Sequence, residues 1–317
     1  MRYNLIKRYF LKKITEYTDD VLIKGGTKMN KLWKRAGVAA LACAMTAGMC
    51  VPVSADDEVE IVVFAAASMT ETLTEIAEMY KEVAPNVTVI YSFDSSGTLK
   101  TQIQEGAGCD LFISAAQKQM NQLDITADPS VNEEGLDFVV EDSRIDLVEN
   151  KVVLVVPEGN EAGIESFDDL TTDKLSLLCL GNEDVPVGAY SDEILENLGI
   201  DKAQLEAEGK VTYGTNVKEV TSQVSEAAVD AGIIYATDAY SAGLTVVDEA
   251  TSDMCRQVIY PAAVLNISKN PEAAQAFLDY LQTDECAAVF EEVGFTMVQA
   301  EETEAEADAE AETEAES

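Results

Sequence analysis

The sequence predicts an α/β fold of two lobes, each a mixed, mainly parallel sheet flanked by helices. Three observations carry this expectation. From Val59 onward, short β runs alternate with helical stretches, the pattern of a parallel sheet covered by its crossover helices. The chain has 317 residues, more than one compact core usually spans. Its 47% hydrophobic content is enough to fill two such cores.

The elements follow in order. Residues 60–64 read as a strand, Ala65 to Ser68 as a tight turn, and 69–83 as a helix with Leu73, Ile76, Ala77 and Tyr80 on one face. Pro85-Asn86 stops that helix. A second unit repeats the device: strand 87–93, the turn Asp94-Ser95-Ser96-Gly97, then helix 98–105. Residues 110–114 form a third strand. Further strands are expected at 151–156, 175–180, 211–213 and 231–235, with helices at 189–198 and 217–229. The run 258–265 reads as a strand returning to the first lobe, and 271–281 and 284–293 as closing helices. The first lobe is therefore expected to be discontinuous, 58–139 and 256–299, with the second lobe at 140–255.

Both ends read as separate from this fold. Lys31, Lys34 and Arg35, an apolar run from Ala36 to Val53 and the small-residue site Val53-Ser54-Ala55 make 29–55 a secretory signal. The mature chain is then expected to begin near Asp56, outside the membrane. Met29 is the expected true start, with 1–28 an upstream mis-annotation. Lipid attachment at Cys43 or Cys50 stays open, because the residues before each fit the usual lipoprotein pattern poorly. Residues 300–317 are Glu, Ala, Thr, Asp and Ser with no basic residue, a composition expected to be disordered.

Composition narrows the chemistry. With 21 Lys+Arg against 59 Asp+Glu, general electrostatics argue against nucleic acid and anionic membrane partners. His is absent, which removes the Ser-His-Asp triad, the Cys-His pair and the common zinc sites. Cys109, Cys179, Cys255 and Cys286 show no C-x-x-C spacing; they are expected as unpaired buried thiols, with one or two disulfides as the alternative.

The informative feature is a repeated local arrangement: strand, turn of small or hydroxyl residues, helix. Ser68 and Ser96 are expected just before helices, as N-caps, where free backbone N–H groups and the helix dipole favour negative charge. Such ends bind anions. In the second lobe Pro186-Val187-Gly188 precedes the helix expected from Ala189, and Thr215-Asn216-Val217 opens the next. Each Ser taken alone is as readily an ordinary helix cap, and Tyr235 alone an aromatic packed in the core.

Taken together and in order, five segments resemble the molybdate-binding proteins of ABC importers: Val63 to Thr70, Tyr91 to Leu99, Asp110 to Ala115, Asp184 to Tyr190, and Ala231 to Ala239. The resemblance covers nearly all of Glu58 to Met297. It implies a two-lobed periplasmic-binding-protein fold of type II with the ligand in the interlobe cleft. It also implies oxyanion contacts from the hydroxyl and amide of Ser68 and of Ser96, the amides of Val187 and Val217, and the phenol of Tyr235. The ligand would be molybdate or tungstate, held through its oxygens with no direct metal ligand and no cofactor. The partners would be an ABC permease and its ATPase, with the binding protein a monomer. The match is loosest at Val187 and Val217, where a main-chain contact tolerates a changed side chain.

A ring of neutral donors selects by size, and it has no acceptor for the proton of hydrogen phosphate. Sulfate, molybdate and tungstate remain on that argument, so a binding protein for sulfate is one alternative. A carboxylate-dependent hydrolase is another, since it needs no His. Asp94 is expected to point away from the ligand or cap locally, Asp110 to cap a neighbouring turn, and Asp238 to fix the loop carrying Tyr235 or the next helix.

Overall fold

The computed structural model describes residues 58–298. The expected leader, the stretch before it, Cys43, Cys50 and the acidic tail lie outside the described residues. The first lobe opens with β1 (Val59–Ala66), a 3-10 turn (Ala67–Met69) and α1 (Thr70–Val83). There follow β2 (Val87–Asp94), α2 (Ser96–Gln104), β3 (Leu111–Ile113), a short α3 (Gln117–Asn121) and β4 (Ile145–Asn150). The apolar face read from the sequence seats α1, burying Leu73, Ile76, Ala77 and Tyr80; each large side chain so covered contributes roughly 1.5–3 kcal/mol.

The second lobe holds β5 (Val152–Val156), β6 (Leu178–Gly181), α4 (Pro186–Asn197), α5 (Lys202–Ala207), β7 (Val211–Gly214), α6 (Val217–Ser225), β8 (Ala231–Tyr235), α7 (Ala236–Ala242) and β9 (Thr245–Glu249). The chain then returns through β10 (Val258–Val264), α8 (Pro271–Tyr280), α9 (Asp284–Val293) and β11 (Thr296–Met297).

Two sheets result, ordered β11-β4-β10-β3-β1-β2 and β7-β6-β8-β5-β9. In the first, β1 runs parallel to β2 and β3, while β10 is antiparallel to both β3 and β4. In the second, β6 runs parallel to β7 and β8, and β5 is antiparallel to β8 and β9. Both sheets are mixed, and their antiparallel share exceeds what strand-helix alternation alone suggests. The extra antiparallel strands β4, β5 and β10 are the segments that carry the chain between lobes.

This topology corrects the lobe boundary expected at 140. β4 pairs with β10 across Val258↔Asn150 to Ala262↔Ile145, so the first sheet keeps the chain as far as Asn150. The crossing falls between Asn150 and Val152. β4 escaped the sequence reading because Ile-Asp-Leu-Val-Glu-Asn carries two carboxylates and resembles a polar connection. Pro261, which cannot donate to a sheet ladder, is accommodated inside β10 by a register shift between Tyr260 and Pro261. Cys109, Cys179, Cys255 and Cys286 are all free and buried, and burial pushes the thiols of Cys109 and Cys179 up to about 12.

Candidate functional site

The five residues expected at the site each sit at or just beyond the carboxyl end of a strand. Ser68 follows β1, Ser96 follows β2, Val187 opens the helix after β6, Val217 opens the helix after β7, and Tyr235 closes β8. Carboxyl strand ends are where open α/β sheets present ligand sites. Here the ends of both sheets meet: Ser68, Ser96, Val217 and Tyr235 line one cavity with Ala66, Ala67, Asp94, Ser95, Ala115, Val185 and Pro186. Val187 is fully buried directly behind Pro186 and does not itself line the cavity. The cavity measures about 10 Å³, room for about one water-sized sphere.

The serines do not act as the N-caps expected of them. Ser68 lies inside the 3-10 turn, and the residue capping α1 is Met69. Ser96 is the first residue of α2, whose cap is Ser95; the Ser95 Oγ accepts from the Thr98 amide at 3.1 Å. With Ser95 filling the capping role, the Ser96 side chain is available for another use. Its Oγ accepts from the Ala115 amide at 2.9 Å, and Ser68 Oγ lies 2.9 Å from the hydroxyl of Tyr260. Ser68 and Ser96 are 5% and 0% exposed, so neither hydroxyl is held by bulk water.

In the second lobe α4 begins at Pro186, three residues earlier than expected. Pro at the first helical position has a preset φ and no N–H to satisfy, so the first free amide of this helix belongs to Val187. At α6 the cap is Asn216, whose side chain accepts from the Glu219 amide at 3.1 Å, and Val217 supplies the first amide. Gly188 fits because a Cβ there would meet the carbonyl oxygens of Gly181 and Asn182 at 2.5 Å; glycine lets the helix start pack against the end of β6.

Tyr235 is 1% exposed, and its hydroxyl has no hydrogen-bond partner among the described residues. Burial, reinforced by the neighbouring Tyr260 and Tyr190, holds this phenol well above its ordinary pKa, so it is a neutral O–H donor. A buried hydroxyl without a partner costs about 1–3 kcal/mol, and this one faces the cavity shared with both serines.

One carboxylate reaches the cavity, and the nearby ammonium is paired elsewhere. Asp94 lines the cavity and caps locally, the second of the two expected arrangements: its Oδ1 accepts from the Ser95 amide at 2.7 Å and also from Asn216 Nδ2 of the opposite lobe at 3.4 Å. Lys218, next to Val217, is held by Glu71 of α1 at 2.6 Å and by Asp238 of α7 at 3.0 Å. Asp238, in the first turn of the helix after Tyr235, is thus an ion partner that ties that helix start to α6. Its carboxyl is pushed up to about 6 by burial, with Lys218 opposing. Asp110 lies away from the site: one oxygen takes the Val62 amide at 2.7 Å, and the other takes Ser268 Oγ at 2.6 Å and the Lys269 amide at 2.9 Å, capping the turn before α8.

The lobes touch across the cleft through the main chain. The Gly97 amide donates to the Asp184 carbonyl at 3.1 Å, and a Cβ on Gly97 would meet that oxygen at 2.3 Å. Sequence reading missed Gly97, Tyr260, Asn150 and Lys218. Gly97 carried a signal, as a glycine in the first turn of a helix where nothing in the local conformation requires one.

A larger hollow of about 460 Å³ lies on the outside of the first lobe, lined by Lys100, Gln104, Lys118, Gln122 and Glu134 among others. It shares no lining residue with the first cavity, and Lys118 and Glu134 are exposed, so it offers no enclosed donor set.

Comparison with known proteins bears on the family and the fold. A family profile described as bacterial extracellular solute-binding protein matches residues 61–296. The molybdate-binding protein ModA of Escherichia coli is 35% identical over 247 residues, covering 76% of this chain and 90% of that protein. A Bacillus subtilis protein, YvgL, provisionally named an ABC transporter substrate-binding lipoprotein, is 36% identical over 244 residues, 76% of this chain and 88% of its own length. Among solved structures, the Azotobacter vinelandii periplasmic molybdate-binding protein aligns with a TM-score of 0.65 at 20% identity, over 75% of this chain and all of that one; at that identity the likeness speaks to the fold.

Proposed function

This chain belongs to the family of bacterial extracellular solute-binding proteins, and from that premise we propose that it binds molybdate, and tungstate with it, outside the membrane and delivers the ion to an ABC importer made of a permease and its ATPase. The observation that carries this reading is the Tyr235 hydroxyl, buried without a partner beside Ser68 and Ser96. The cavity presents O–H and N–H groups from both lobes, with no Lys or Arg at its lining among the described residues.

The chemistry follows from the donor set. A doubly charged oxyanion accepts hydrogen bonds at every oxygen, and bonds to a charged acceptor are about twice as strong as neutral ones. The Ser68, Ser96 and Tyr235 hydroxyls and the first amides of α4 and α6 would supply them, and the dipoles of those helices add positive potential where the ion sits. Fixed neutral donors reward an ion of matching radius, whereas a mobile Lys would attract any anion. The existing cavity is too small for a four-oxygen ion, so entry requires the lobes to part and close again, the hinge motion expected of two-lobed binding proteins. A two-carboxylate hydrolase is disfavoured, because the lining holds Asp94 alone as a carboxylate among the described residues.

Competitive calorimetry on the purified protein with molybdate, tungstate, sulfate and phosphate tests the proposal. Tight molybdate and tungstate binding with little response to sulfate or phosphate is expected. Sub-micromolar sulfate binding without a molybdate response would overturn the choice of ligand.

A further inference from the structure

Behind Ser68 lies a chain of buried polar groups whose donor directions are fixed from the Lys151 amide through Asn150 to Tyr260. Asn150 ends β4 at the crossing between lobes, and its Oδ1 accepts from the Lys151 amide at 2.8 Å. A backbone N–H can only donate, so the opposite face of the side chain must be the NH2 group. That group donates to Thr237 Oγ1 at 2.9 Å and to the Tyr260 hydroxyl at 3.2 Å. Tyr260 Oη thereby receives one hydrogen bond and has one proton to give. Its other partner is Ser68 Oγ at 2.9 Å. In the orientation where the phenol gives that proton to Ser68, the serine's own proton is left to point into the cavity it lines.

We propose that Tyr260, oriented by Asn150, is the positioning residue that turns the Ser68 hydroxyl proton toward the bound oxyanion. This rests on the oxyanion reading of the cleft. Without the phenol, Ser68 Oγ–H can rotate among several acceptors, and the ion must fix that rotation when it binds. With the phenol, the donor is set in advance. The arrangement parallels Ser96, whose Oγ accepts from the Ala115 amide and whose proton is freed in the same way.

Two further observations fit this role. All four groups are buried: Tyr260 is 0%, Thr237 1%, Ser68 5% and Asn150 6% exposed, so water does not compete for them. The register shift at Tyr260/Pro261 falls at the residue whose side chain faces Ser68, and bulges commonly re-aim a side chain beside a site. The Asn150–Thr237 bond also crosses from the first lobe to the second, on the helix that begins directly after Tyr235. The direction of the Ser68 proton is thus tied to the closed arrangement of the hinge.

The test is a double-mutant cycle read by calorimetry with molybdate on wild type, Tyr260→Phe, Ser68→Ala and the double variant, with ligand-free melting measured in parallel. Tyr260→Phe is expected to weaken binding about tenfold, the loss of one hydrogen bond. In the Ser68→Ala background the same change should weaken it less than about twofold, because the hydroxyl it orients is gone. An undiminished effect in that background, or wild-type affinity for Tyr260→Phe, would overturn the positioning role. Should Tyr260→Phe fail to fold, Asn150→Leu enters the same cycle, and its coupling to Ser68 decides. If wild type ignores molybdate but binds sulfate or tungstate, the ligand assignment fails alone, and the cycle run with that ion decides the relay. If it binds none of them, both fall.

Discussion

Ser96 uses an acceptor lone pair inside the first lobe and keeps a proton for the cleft, and Ser68 does the same in the orientation proposed for Tyr260, which is how a short neutral side chain becomes a directional anion donor. Removing either hydroxyl deletes one charge-assisted hydrogen bond. Ser68→Ala and Ser96→Ala should each weaken molybdate binding by roughly 1.5–3 kcal/mol, with circular dichroism unchanged and melting of the free protein lowered, because the Tyr260 hydroxyl or the Ala115 amide loses its buried partner. Wild-type affinity in both variants would remove these serines from the site. Asp238 presents the opposite case. Its carboxyl, raised from 3.8 to about 6 by burial despite Lys218, favours the folded state when protonated. That contribution is fully present below the ordinary carboxylate pKa and is lost as pH rises through about 6, a change on the order of 3 kcal/mol. Urea unfolding of Asp238→Asn should therefore show a stability relative to wild type that grows between pH 4 and pH 7. A relative stability that shrinks over that range would mean that the ion pair with Lys218 outweighs the burial cost.

At the level of elements, strand and helix alternation made β1, β2, β3, β5, β6, β7, β8 and β10 readable, because each is an apolar run followed by turn residues. What escaped were β4, β9 and β11, which are short, edge-placed or charged and owe their pairing to tertiary contacts. The order of strand ends was legible, and with it which residues could converge. The capping roles were not: Ser95 and Ser96 are chemically alike, and only the Ser95–Thr98 bond decides that Ser95 caps α2 while Ser96 faces the cavity. The relay behind Ser68 was invisible, since Asn150, Thr237 and Tyr260 are distant in sequence and unremarkable singly. The start of α2 also meets the second lobe, and this gives a separate test. Gly97→Ala would place a methyl 2.3 Å from the Asp184 carbonyl oxygen, so closure must shift by tenths of an ångström or more. Molybdate affinity should fall at least about tenfold while free-protein melting changes little; affinity unchanged in titration would mean the closed cleft does not bring these segments together.

For the whole molecule, a formal charge of −38 sets a long-range repulsion against the attraction of the local donor ring. At physiological salt the Debye length is about 8 Å, so added salt should screen the approach of a dianion far more than its hold once enclosed. Stopped-flow tyrosine fluorescence should show an association rate that rises with ionic strength and a dissociation rate that scarcely moves. An association rate falling with salt would point to steering by a positive patch. Lys218, a basic side chain beside the cleft, is neutralised by Glu71 and Asp238, and on the proposed reading recognition falls to uncharged groups. A crystal structure with molybdate, located by its anomalous scattering, tests this most directly. The account predicts the ion between the lobes, within hydrogen-bonding distance of the Ser68, Ser96 and Tyr235 hydroxyls and the Val187 and Val217 amides; an ion gripped by Lys218 or any other Lys or Arg, or lodged outside the cleft, would contradict it.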